Sequence, residues 1–509
     1  MLMNRGLNGI RESRNCKAQK YNSGVVRKRR RLLMQYEAVI GLEIHAQLST
    51  ETKIFCGCST EFGSAPNTQT CPVCTGLPGV LPVMNKKAIE YVVRTGLAVD
   101  CTISPVSRFA RKNYFYPDLP KGYQISQFEL PLCDGGHVDI TVDGTTKRIR
   151  LNRIHLEEDA GKNIHEGMGS ESSVDLNRAG VPLMEIVTEP DLRSSQEAVE
   201  FMKKLRSIVR CIGVSDGNME QGSLRCDVNV SVRPVGTEEL GVKTEIKNMN
   251  SFRFVEKALD YEIKRQKQVL NEGGKITQET RLYDVNAGST DPMRSKEESH
   301  DYRYFPDPDL MPIEIAPAWV EEIKAGIGEL PAVRRERFIK EYQLPEHDAD
   351  MLTAERATAD WFEEVVKLGG KPKTVSNWIM TDIFKHLKET NKEINETNLT
   401  PEHLASLLDC IESGAVSGTM AKSDVLDEIW KTGVMPEVII KEKGLVQMSD
   451  ESELEKIVDI IISNSPGEVE RFKGGQAKLM GFFVGQVMKE TKGKANPKVV
   501  NELLRKKLS

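Results

Sequence analysis

The sequence predicts an α+β protein: an N-terminal mixed-sheet domain carrying a four-cysteine zinc knuckle, then an all-helical domain and a small helical tail domain. Three observations predict this class. Residues 36–310 consist mostly of short strand patterns and turns with a few helices. The chain after residue 330 is charged, helical in its apolar period and poor in strand signals. Two closely spaced cysteine pairs lie in the first part.

Length and composition limit the number of domains and the class of protein. The chain has 509 residues, which is too long for one ordinary domain and suggests two to four. Hydrophobic residues make up 39%, charged residues 28%, and the mean hydropathy is −0.40, as in globular proteins. Apolar stretches are far shorter than the ~20 residues of a membrane span. These values exclude a transmembrane, fibrous or wholly disordered chain, and we expect no membrane partner.

The formal charge of −5 is unevenly distributed. Residues 1–34 carry +9 and residues 471–509 carry +8, which leaves −22 on the chain between them. An acidic body with basic ends argues against nucleic-acid binding over the whole surface. It allows one end to hold a polyanion and the middle to hold metal ions.

Residues 1–34 form a basic extension that contains the run Arg27 to Arg31 and no apolar segment, so they are not a secretory signal. The composition favours a disordered tail, or a start codon placed too early with Met34 as the true start. A mitochondrial transit peptide is the alternative. We therefore expect a cytoplasmic protein, or an organellar one if the extension is a transit peptide.

Two segments have the alternating pattern of strands with one apolar face. In residues 38–48 the polar face carries Glu43 and His45, and in residues 223–233 it carries Asp227. The other predicted strands lie at 137–143 and 147–158. The predicted helices lie at about 195–212, with Ser194 or Ser195 as N-cap, at about 252–272, from Pro401 after the N-cap Thr400, and at 476–489 and 498–507.

The cysteine spacing predicts a structural zinc site. Cys56 and Cys58 form one pair, and Cys71 and Cys74 form the other after twelve intervening residues. Two such pairs on turns can place four thiolates tetrahedrally around Zn²⁺. Because sulfur would fill every position, we expect no catalysis there. Reduced thiols or disulfides are the alternative.

Carboxylates and imidazoles recur on the predicted strands. Glu43 and His45 lie two residues apart, so their side chains point to the same face, roughly 7 Å apart. The tract His155 to Asp159 adds acids at a strand end, and Glu185 lies on a further segment. Several carboxylates with one imidazole suit Mg²⁺. An ordinary solvated strand face is the competing interpretation of each feature.

Two basic and aromatic loops, residues 111–127 and 301–310, could stack on bases and hold phosphates, or could plug the core. No P-loop is present, since Gly161-Lys162 lacks the upstream glycine and is followed by Asn163. If ATP binds, a different arrangement must hold its phosphates.

Several long motifs together resemble one family. LNRAGVPLMEI (176–186) resembles the signature of the B subunit of the aspartyl/glutamyl-tRNA amidotransferases. The same family is matched, in the same order along the chain, by VIGLEIHAQL, RKNYFYPDLPKGYQISQ, HLEEDAGK, SLRCDVNVSVRP, KTEIKNMNSF and DYRYFPDPDL. The resemblance runs from about Tyr36 to Ser509, and only the extension lies outside it.

The resemblance implies a reaction and partners. The family converts misacylated Glu-tRNA(Gln) or Asp-tRNA(Asn) to Gln-tRNA(Gln) or Asn-tRNA(Asn), as a carbon–nitrogen ligase with glutamine as amido donor. The B subunit transfers the γ-phosphoryl group of ATP to the side-chain carboxylate. The A subunit, which is an amidase, releases ammonia from glutamine, and ammonia reaches the acyl phosphate through an internal channel. A small C subunit is the third member of a heterotrimer. Which of the two tRNAs is used stays open.

The resemblance also implies domains and site residues. The cradle domain corresponds to residues 35–325, the helical domain to 326–438 and the tail domain, which binds tRNA, to 439–509. The residues carried over by motif to phosphoryl transfer and Mg²⁺ are Glu43, His45, Glu158, Glu185 and Asp227, with Glu245 as a further magnesium ligand and Glu157 as a neighbour. Some family members lack the four cysteines.

The tail contributes basic residues that could meet tRNA phosphates, namely Lys478, Lys489, Lys492, Lys494 and Lys498. A solvated helix face is the alternative. Two rival functions remain open from sequence: a zinc-ribbon nucleic-acid-binding protein without activity, and a metal-dependent nuclease.

Overall fold

The computed structural model describes residues 34–164, 172–293, 302–390, 392–446, 451–491 and 495–508. The predicted basic extension, apart from Met34, lies outside the described residues, as do Lys492 and Lys494.

Strands dominate the first part of the chain. The first eight are β1 (Tyr36–Gln47), β2 (Thr102–Ile103), β3 (Val106–Ser107), β4 (Ala110–Asn113), β5 (Tyr123–Ser126), β6 (Cys133–Asp134), β7 (His137–Val142) and β8 (Thr145–Glu158). The following strands are β9 (Lys162–Ile164), β10 (Ser173–Asp175), β11 (Pro182–Thr188), β12 (Leu224–Pro234), β13 (Thr244–Lys247), β14 (Glu279–Asp284), β15 (Ser289–Pro292), β16 (Phe305–Pro306) and β17 (Ile313–Glu314).

Within the described residues, ten of these strands form one sheet in the order β15-β14-β13-β12-β1-β11-β8-β6-β2, with β7 paired to β8. The sheet is mixed, as predicted, because β13 and β14 run parallel while the other neighbours are antiparallel. Strand β1 lies between β11 and β12, so its polar residues have neighbours on both sides. A smaller sheet, β16-β4-β5, brings the two basic and aromatic loops together.

Three helices cover the apolar face of the large sheet: α1 (Lys86–Ala98), α2 (Ser195–Cys211) and α3 (Phe252–Asn271). Alternation along β1 puts Ile40, Leu42 and Ile44 into the core that these helices complete. Of the two serines predicted as N-cap candidates for the second helix, Ser194 is the N-cap, and its hydroxyl accepts a hydrogen bond from the amide of Glu197 at 3.1 Å. The opposite face of the sheet is left free for polar side chains.

The pairing of β11 with β1 ends at Val187 and Glu43, and a single bridge between Ile40 and Leu192 follows. On the other side of β11, the pairing register with β8 shifts between Val187 and Thr188, which marks a bulge. The Thr188 hydroxyl there accepts the amide hydrogen of Leu42 at 2.9 Å. A side chain thus satisfies a buried donor that the sheet no longer pairs.

The second part of the chain is helical. Its helices are α4 (Pro317–Ala325), α5 (Pro331–Glu341), α6 (Glu346–Thr353), α7 (Arg356–Lys367), α8 (Pro372–Trp378), α9 (Phe384–Thr390), α10 (Pro401–Glu412), α11 (Gly418–Met420), α12 (Leu426–Thr432) and α13 (Pro436–Glu442). Apart from α4, which packs on the sheet core, they bury a second apolar cluster that runs from Phe338 to Ile440. Thr400 and Pro401 occupy the N-cap and first position of α10, as predicted.

The last helices are α14 (Glu451–Asn464), α15 (Pro466–Lys473), α16 (Met480–Glu490) and α17 (Pro497–Leu508). They bury a third apolar cluster, from Leu454 to Leu508. No helix among the described residues combines the length and the apolar character that crossing a bilayer requires.

Candidate functional site

The polar face of the large sheet aligns ionisable residues from adjacent strands. The Cα partner of His45 on β1 is Glu185 on β11, whose own partner on β8 is His155. On the other side, His45 pairs with Arg225 on β12. Directly opposed residues of an antiparallel sheet share a face, so these four side chains form one row.

Glu157 joins this row, because it lies two residues beyond His155 on the same face of β8. The His45 Nε2 atom lies 3.4 Å from an oxygen of Glu185 and 3.8 Å from one of Glu157. The His155 Nε2 atom lies 3.3 Å and 3.7 Å from the same two carboxylates. The Ser126 hydroxyl donates to Glu157 at 3.1 Å. We call His45, His155, Glu157 and Glu185 the sheet cluster.

Burial and charge act against each other in the sheet cluster. Burial opposes ionisation of Glu185, but His155 and His45 hold its pKa well below the ordinary value. Burial also opposes protonation of His155, yet Glu185 and Glu157 raise its pKa to about 9. The Nδ1 atom of His155 is buried without a hydrogen-bond partner among the described residues. One buried nitrogen atom of the cluster is therefore left without a hydrogen bond.

Glu43, Asp227 and Glu245 lie beside this cluster on the same sheet. Glu43 and Asp227 are Cα partners, and Asn229 donates to Glu43 at 2.9 Å. Lys247 contacts Asp227 at 2.8 Å and Glu245 at 3.1 Å. Burial, followed by the charges of neighbouring carboxylates, raises the pKa of Glu43. The three carboxylates thus carry more negative charge than the ammonium group of Lys247 neutralises.

Glu158 is not part of the sheet cluster. Neighbouring residues on a strand point to opposite faces, so Glu158 faces away from Glu157. It forms an ion pair with Lys121 and accepts the Ile125 amide hydrogen at 3.2 Å. Its side chain lines a cavity of about 210 Å³ beside the cysteine knuckle. The geometry places Glu157, rather than Glu158, with His45 and Glu185.

From sequence, Glu157 was named only as a neighbour of the predicted site, and His155 was named only as part of an acidic tract. Strand alternation from His155 was a usable signal for Glu157, but motif matching favoured the neighbouring glutamate. Alternation in β8 is hard to see from sequence, because both faces are buried between Ile154 and Glu158.

The basic and aromatic loops lie against the sheet cluster. Burial opposes ionisation of Lys112, but the charge of Glu157 raises its pKa. Its Nζ atom lies 4.8 Å from the centroid of the Tyr302 ring. Tyr302 also contacts the rings of Tyr114 and Tyr304 edge-on, with centroids 6.0 Å away in both cases. Sequence spacing could not show that the two loops meet.

Arg225 brings a second cation to the row. One guanidinium nitrogen donates to Asp159 at 2.7 Å, and Gln47 donates to the same carboxylate oxygen. The Nε atom of Arg225 is buried and has no hydrogen-bond partner among the described residues. That donor remains available to an acceptor.

The four predicted zinc ligands meet in space. The sulfur atoms of Cys56, Cys58, Cys71 and Cys74 all lie within 4.8 Å of one another. Cys71 and Cys74 are 3.9 Å apart at sulfur, close to the ~3.8 Å expected between thiolates bound tetrahedrally to zinc. The site can hold a metal ion, and its chemistry is compatible with zinc.

A backbone hydrogen bond and a nearby positive charge favour the thiolate form of Cys74. The pKa of Cys74 falls to about 4, because it accepts from Cys56 and from the Cys71 amide and lies near the Lys53 ammonium. The Cys71 amide donates to the Cys74 sulfur at 3.2 Å. Burial raises the pKa of Cys58 to about 11, which leaves it dependent on a metal for deprotonation.

The predicted tRNA-contacting lysines are exposed where they are described. Lys478, Lys489 and Lys498 are on the surface of the tail region. They lie near or on the last two helices, α16 and α17.

Comparison with protein families matches nearly the whole described chain. The GatB/GatE catalytic domain matches residues 38–321, and the GatB domain matches residues 360–508.

Curated relatives share the full length. The B subunit of the aspartyl/glutamyl-tRNA(Asn/Gln) amidotransferase of Thermodesulfovibrio yellowstonii is 64% identical over 471 residues, which cover 92% of this chain and 99% of the relative. The B subunits of Geotalea daltonii and Geobacter sulfurreducens are each 58% identical over 478 residues, covering 93% of this chain and 100% of each relative. The chain therefore belongs to the GatB family, the B subunits of aspartyl/glutamyl-tRNA(Asn/Gln) amidotransferases.

Proposed function

We propose that this chain carries out the activation step of tRNA-dependent amidation. A side-chain carboxylate oxygen of Glu on tRNA(Gln), or of Asp on tRNA(Asn), attacks the γ-phosphorus of ATP, and ADP leaves. Ammonia then attacks the carbonyl carbon of the acyl phosphate, phosphate leaves and a proton is lost. Activation is needed because an unmodified carboxylate would have to expel an oxide or hydroxide.

The observation that supports this proposal is the sheet cluster beside an excess of carboxylates. Phosphoryl transfer requires positioning and neutralisation of charge more than covalent chemistry from the protein. A face with His45, Glu157, Glu185 and nearby cations offers both. Glu43, Asp227 and Glu245 would complete the acidic side of the site.

A divalent cation fits the residues present. Ligands bound octahedrally at ~2.1 Å lie roughly 3 to 4.2 Å apart, and the contacts of His45 with Glu185 and Glu157 measure 3.4 and 3.8 Å. When bound, Mg²⁺ would neutralise charge on the phosphate oxygens. His45, Glu157 and Glu185 would hold it, and the oxygen donors suit Mg²⁺ or Mn²⁺.

Two cations are placed to bind phosphate oxygens. Arg225 has a free buried Nε donor among the described residues, and Lys112 is kept charged by Glu157. Arginine binds phosphate through directed N–H groups, whereas lysine acts as a compact charge. We assign Arg225 to orient the transferred group and Lys112 to balance its charge.

The partners follow from the relatives. Their name, which denotes a B subunit, indicates an amidotransferase of several chains acting on Asp- or Glu-charged tRNA. We propose a heterotrimer with an amidase, the A subunit, that supplies ammonia and with a small C subunit, located in the cytoplasm. The exposed lysines of the tail would contact tRNA phosphates.

The zinc ion is proposed as structural. Four sulfur ligands leave no open position for water or substrate. Cys56→Ser should lose zinc and stability together, and any loss of activity should follow from unfolding. Zinc content by elemental analysis should approach one equivalent per folded wild-type chain.

The decisive experiment is ATP hydrolysis by the assembled complex with misacylated tRNA. We expect Glu185→Gln to reduce tRNA-dependent hydrolysis by about 100-fold or more, because one carboxylate of the cation site is lost. Glutaminase activity of the complex should persist. Glu200→Gln serves as the matched control, because Glu200 is a half-buried glutamate of α2 that pairs with Lys203.

Full ATP hydrolysis in Glu185→Gln would contradict the proposal. The same reaction mixture separates the rivals: a nuclease would cleave the tRNA, and a binding protein would retain tRNA without any ATP turnover.

A further inference from the structure

Lys53 is a fully buried lysine beside the cysteine knuckle. Its exposed fraction is 0%. Its Nζ atom lies 3.6 Å from the Cys74 sulfur and 3.3 Å from the Leu176 carbonyl oxygen. Among the described residues, no carboxylate forms an ion pair with it. Burying an ammonium group is costly unless an anion faces it, so the sulfur side of the knuckle must supply that charge.

A zinc–tetrathiolate supplies such a charge. Four thiolates outweigh the two positive charges of zinc, which leaves the centre with a net negative charge. Lys53 is the buried cation in contact with one of its ligands. The negative charge of the centre therefore offsets the free-energy cost of burying the Lys53 ammonium group.

Lys53 also contacts both cysteine pairs of the knuckle and lies beside the segment that leads into the sheet. Its amide donates to the Cys58 carbonyl at 2.9 Å, while its ammonium group faces Cys74. The next amide, of Ile54, donates to the Gly180 carbonyl at 2.9 Å. The segment from Leu176 to Gly180 leads directly into β11.

We propose that Lys53 is the charge partner of the four-cysteine metal centre and that it couples this centre to the segment preceding β11. It is a positioning residue and touches neither nucleotide nor tRNA. Its role is to raise metal affinity by offsetting negative charge. Through the Leu176 carbonyl, it fixes the knuckle against the strand that bears Glu185.

The test is zinc retention by the full chain under competition with a chelator. Lys53→Met keeps the length and apolar stem but removes the charge, so we expect zinc to be lost at about 10- to 100-fold lower chelator concentration. Lys53→Arg keeps the charge and should stay close to wild type. Lys87→Met, the same change at an exposed lysine of α1, is the matched control.

A second substitution distinguishes charge from packing. Cys58 is half-buried, and Cys58→His replaces one thiolate by a neutral ligand that zinc accepts. Added to Lys53→Met, it removes one negative charge and should restore zinc retention. If Lys53→Met alone yields no folded protein, the double variant should recover folded, zinc-bound chain.

Three results would overturn the proposal: zinc retention unchanged in Lys53→Met, retention in Lys53→Arg as weak as in Lys53→Met, or no recovery in the double variant. None of these measurements involves ATP or tRNA. Their outcome is therefore independent of the proposed activation step.

Discussion

Two groups of ionised side chains, one among the helices and one on the sheet, have opposite balances of charge. In the helical part, Glu363 accepts from Arg337 at 2.6 Å and from the Tyr342 hydroxyl at 3.0 Å, and it also pairs with Arg334. These partners hold the pKa of Glu363 at about 2, against the cost of burial. Each charge of this group faces an opposite charge within the fold, although the Nε atom of Arg334 is buried without a hydrogen-bond partner among the described residues.

The sheet cluster is not matched in this way. Its carboxylates face imidazoles, and neighbouring carboxylate charge raises the pKa of Glu43 nearby. The Nδ1 atom of His155, like the Nε atom of Arg334, is buried without a hydrogen-bond partner among the described residues, so the two groups differ in their balance of charge. The comparison teaches that acid content alone does not indicate a cation site. What indicates one is acid that the fold leaves without sufficient counter-charge.

The largest effect should come from the pair Glu157 and Glu158. We expect Glu157→Gln to weaken Mn²⁺ binding by about 10- to 100-fold, since it removes a carboxylate from the sheet cluster. Glu158→Gln should leave Mn²⁺ binding unchanged, because that side chain contacts Lys121 on the other face. Isothermal titration of the full chain measures both.

These adjacent residues serve as each other's control. Equal losses in the two variants would show that the strand face does not select the cation ligands, and the contrast between the two groups would then fail.

A smaller effect should follow from breaking the matched group. Glu363→Ala leaves Arg334, which is almost fully buried, with Asp360 as its remaining ion-pair partner, and should lower the free energy of unfolding by about 1 to 3 kcal/mol. Tryptophan fluorescence reports mainly on this part, because Trp361, Trp378 and Trp430 lie in it and only the fourth tryptophan, Trp319, packs on the sheet core. Cation binding by the sheet cluster should not change.

The same carboxylate predicts a pH dependence. Since folding lowers its pKa from 4.5 to about 2, its stabilisation is present above pH 4.5 and is lost as the pH falls towards 2. Glu363→Gln should remove this portion of the acid sensitivity. An identical acid-unfolding profile in both proteins would contradict the role given to Glu363.

The smallest effect should come from the tail lysines. Replacing Lys478, Lys489 and Lys498 by alanine should weaken tRNA binding modestly and reduce the slope of log K against log salt by about 0.7 to 0.9 per lost phosphate contact. Filter binding at several salt concentrations measures this. The same substitution at Lys371, an exposed lysine of the helical part, should leave the slope unchanged.

Much of the fold could be predicted because local signals agreed with tertiary structure. The alternation over 38–48 predicted β1, and Ser194 and Thr400 predicted helix starts. Sheet order could not be predicted, because pairing between β1 and β11 joins residues far apart in sequence. Single-sequence periodicity carries no information on which strand lies beside which.

Prediction of the candidate site from the sequence was limited in the same way. The cysteines were predictable from spacing, because close pairs must approach each other. The sheet cluster was only half predictable: His45 and Glu185 were identified, but whether Glu157 or Glu158 joins them depends on a strand phase that the buried segment obscures. Lys112, Arg225 and Lys247 reach the site only through tertiary contacts.

Thr188 illustrates how a hydroxyl can replace a ladder hydrogen bond at the end of a strand pairing. Just beyond the last paired residues of β1 and β11, its side chain accepts the amide hydrogen of Leu42, one residue before Glu43. Valine has nearly the same shape but cannot accept that hydrogen, so it would leave a buried donor unpaired at a cost of about 1 to 3 kcal/mol. Serine would not. The end of this strand pairing therefore imposes a chemical requirement, rather than a size requirement, on the residue that flanks the acidic face.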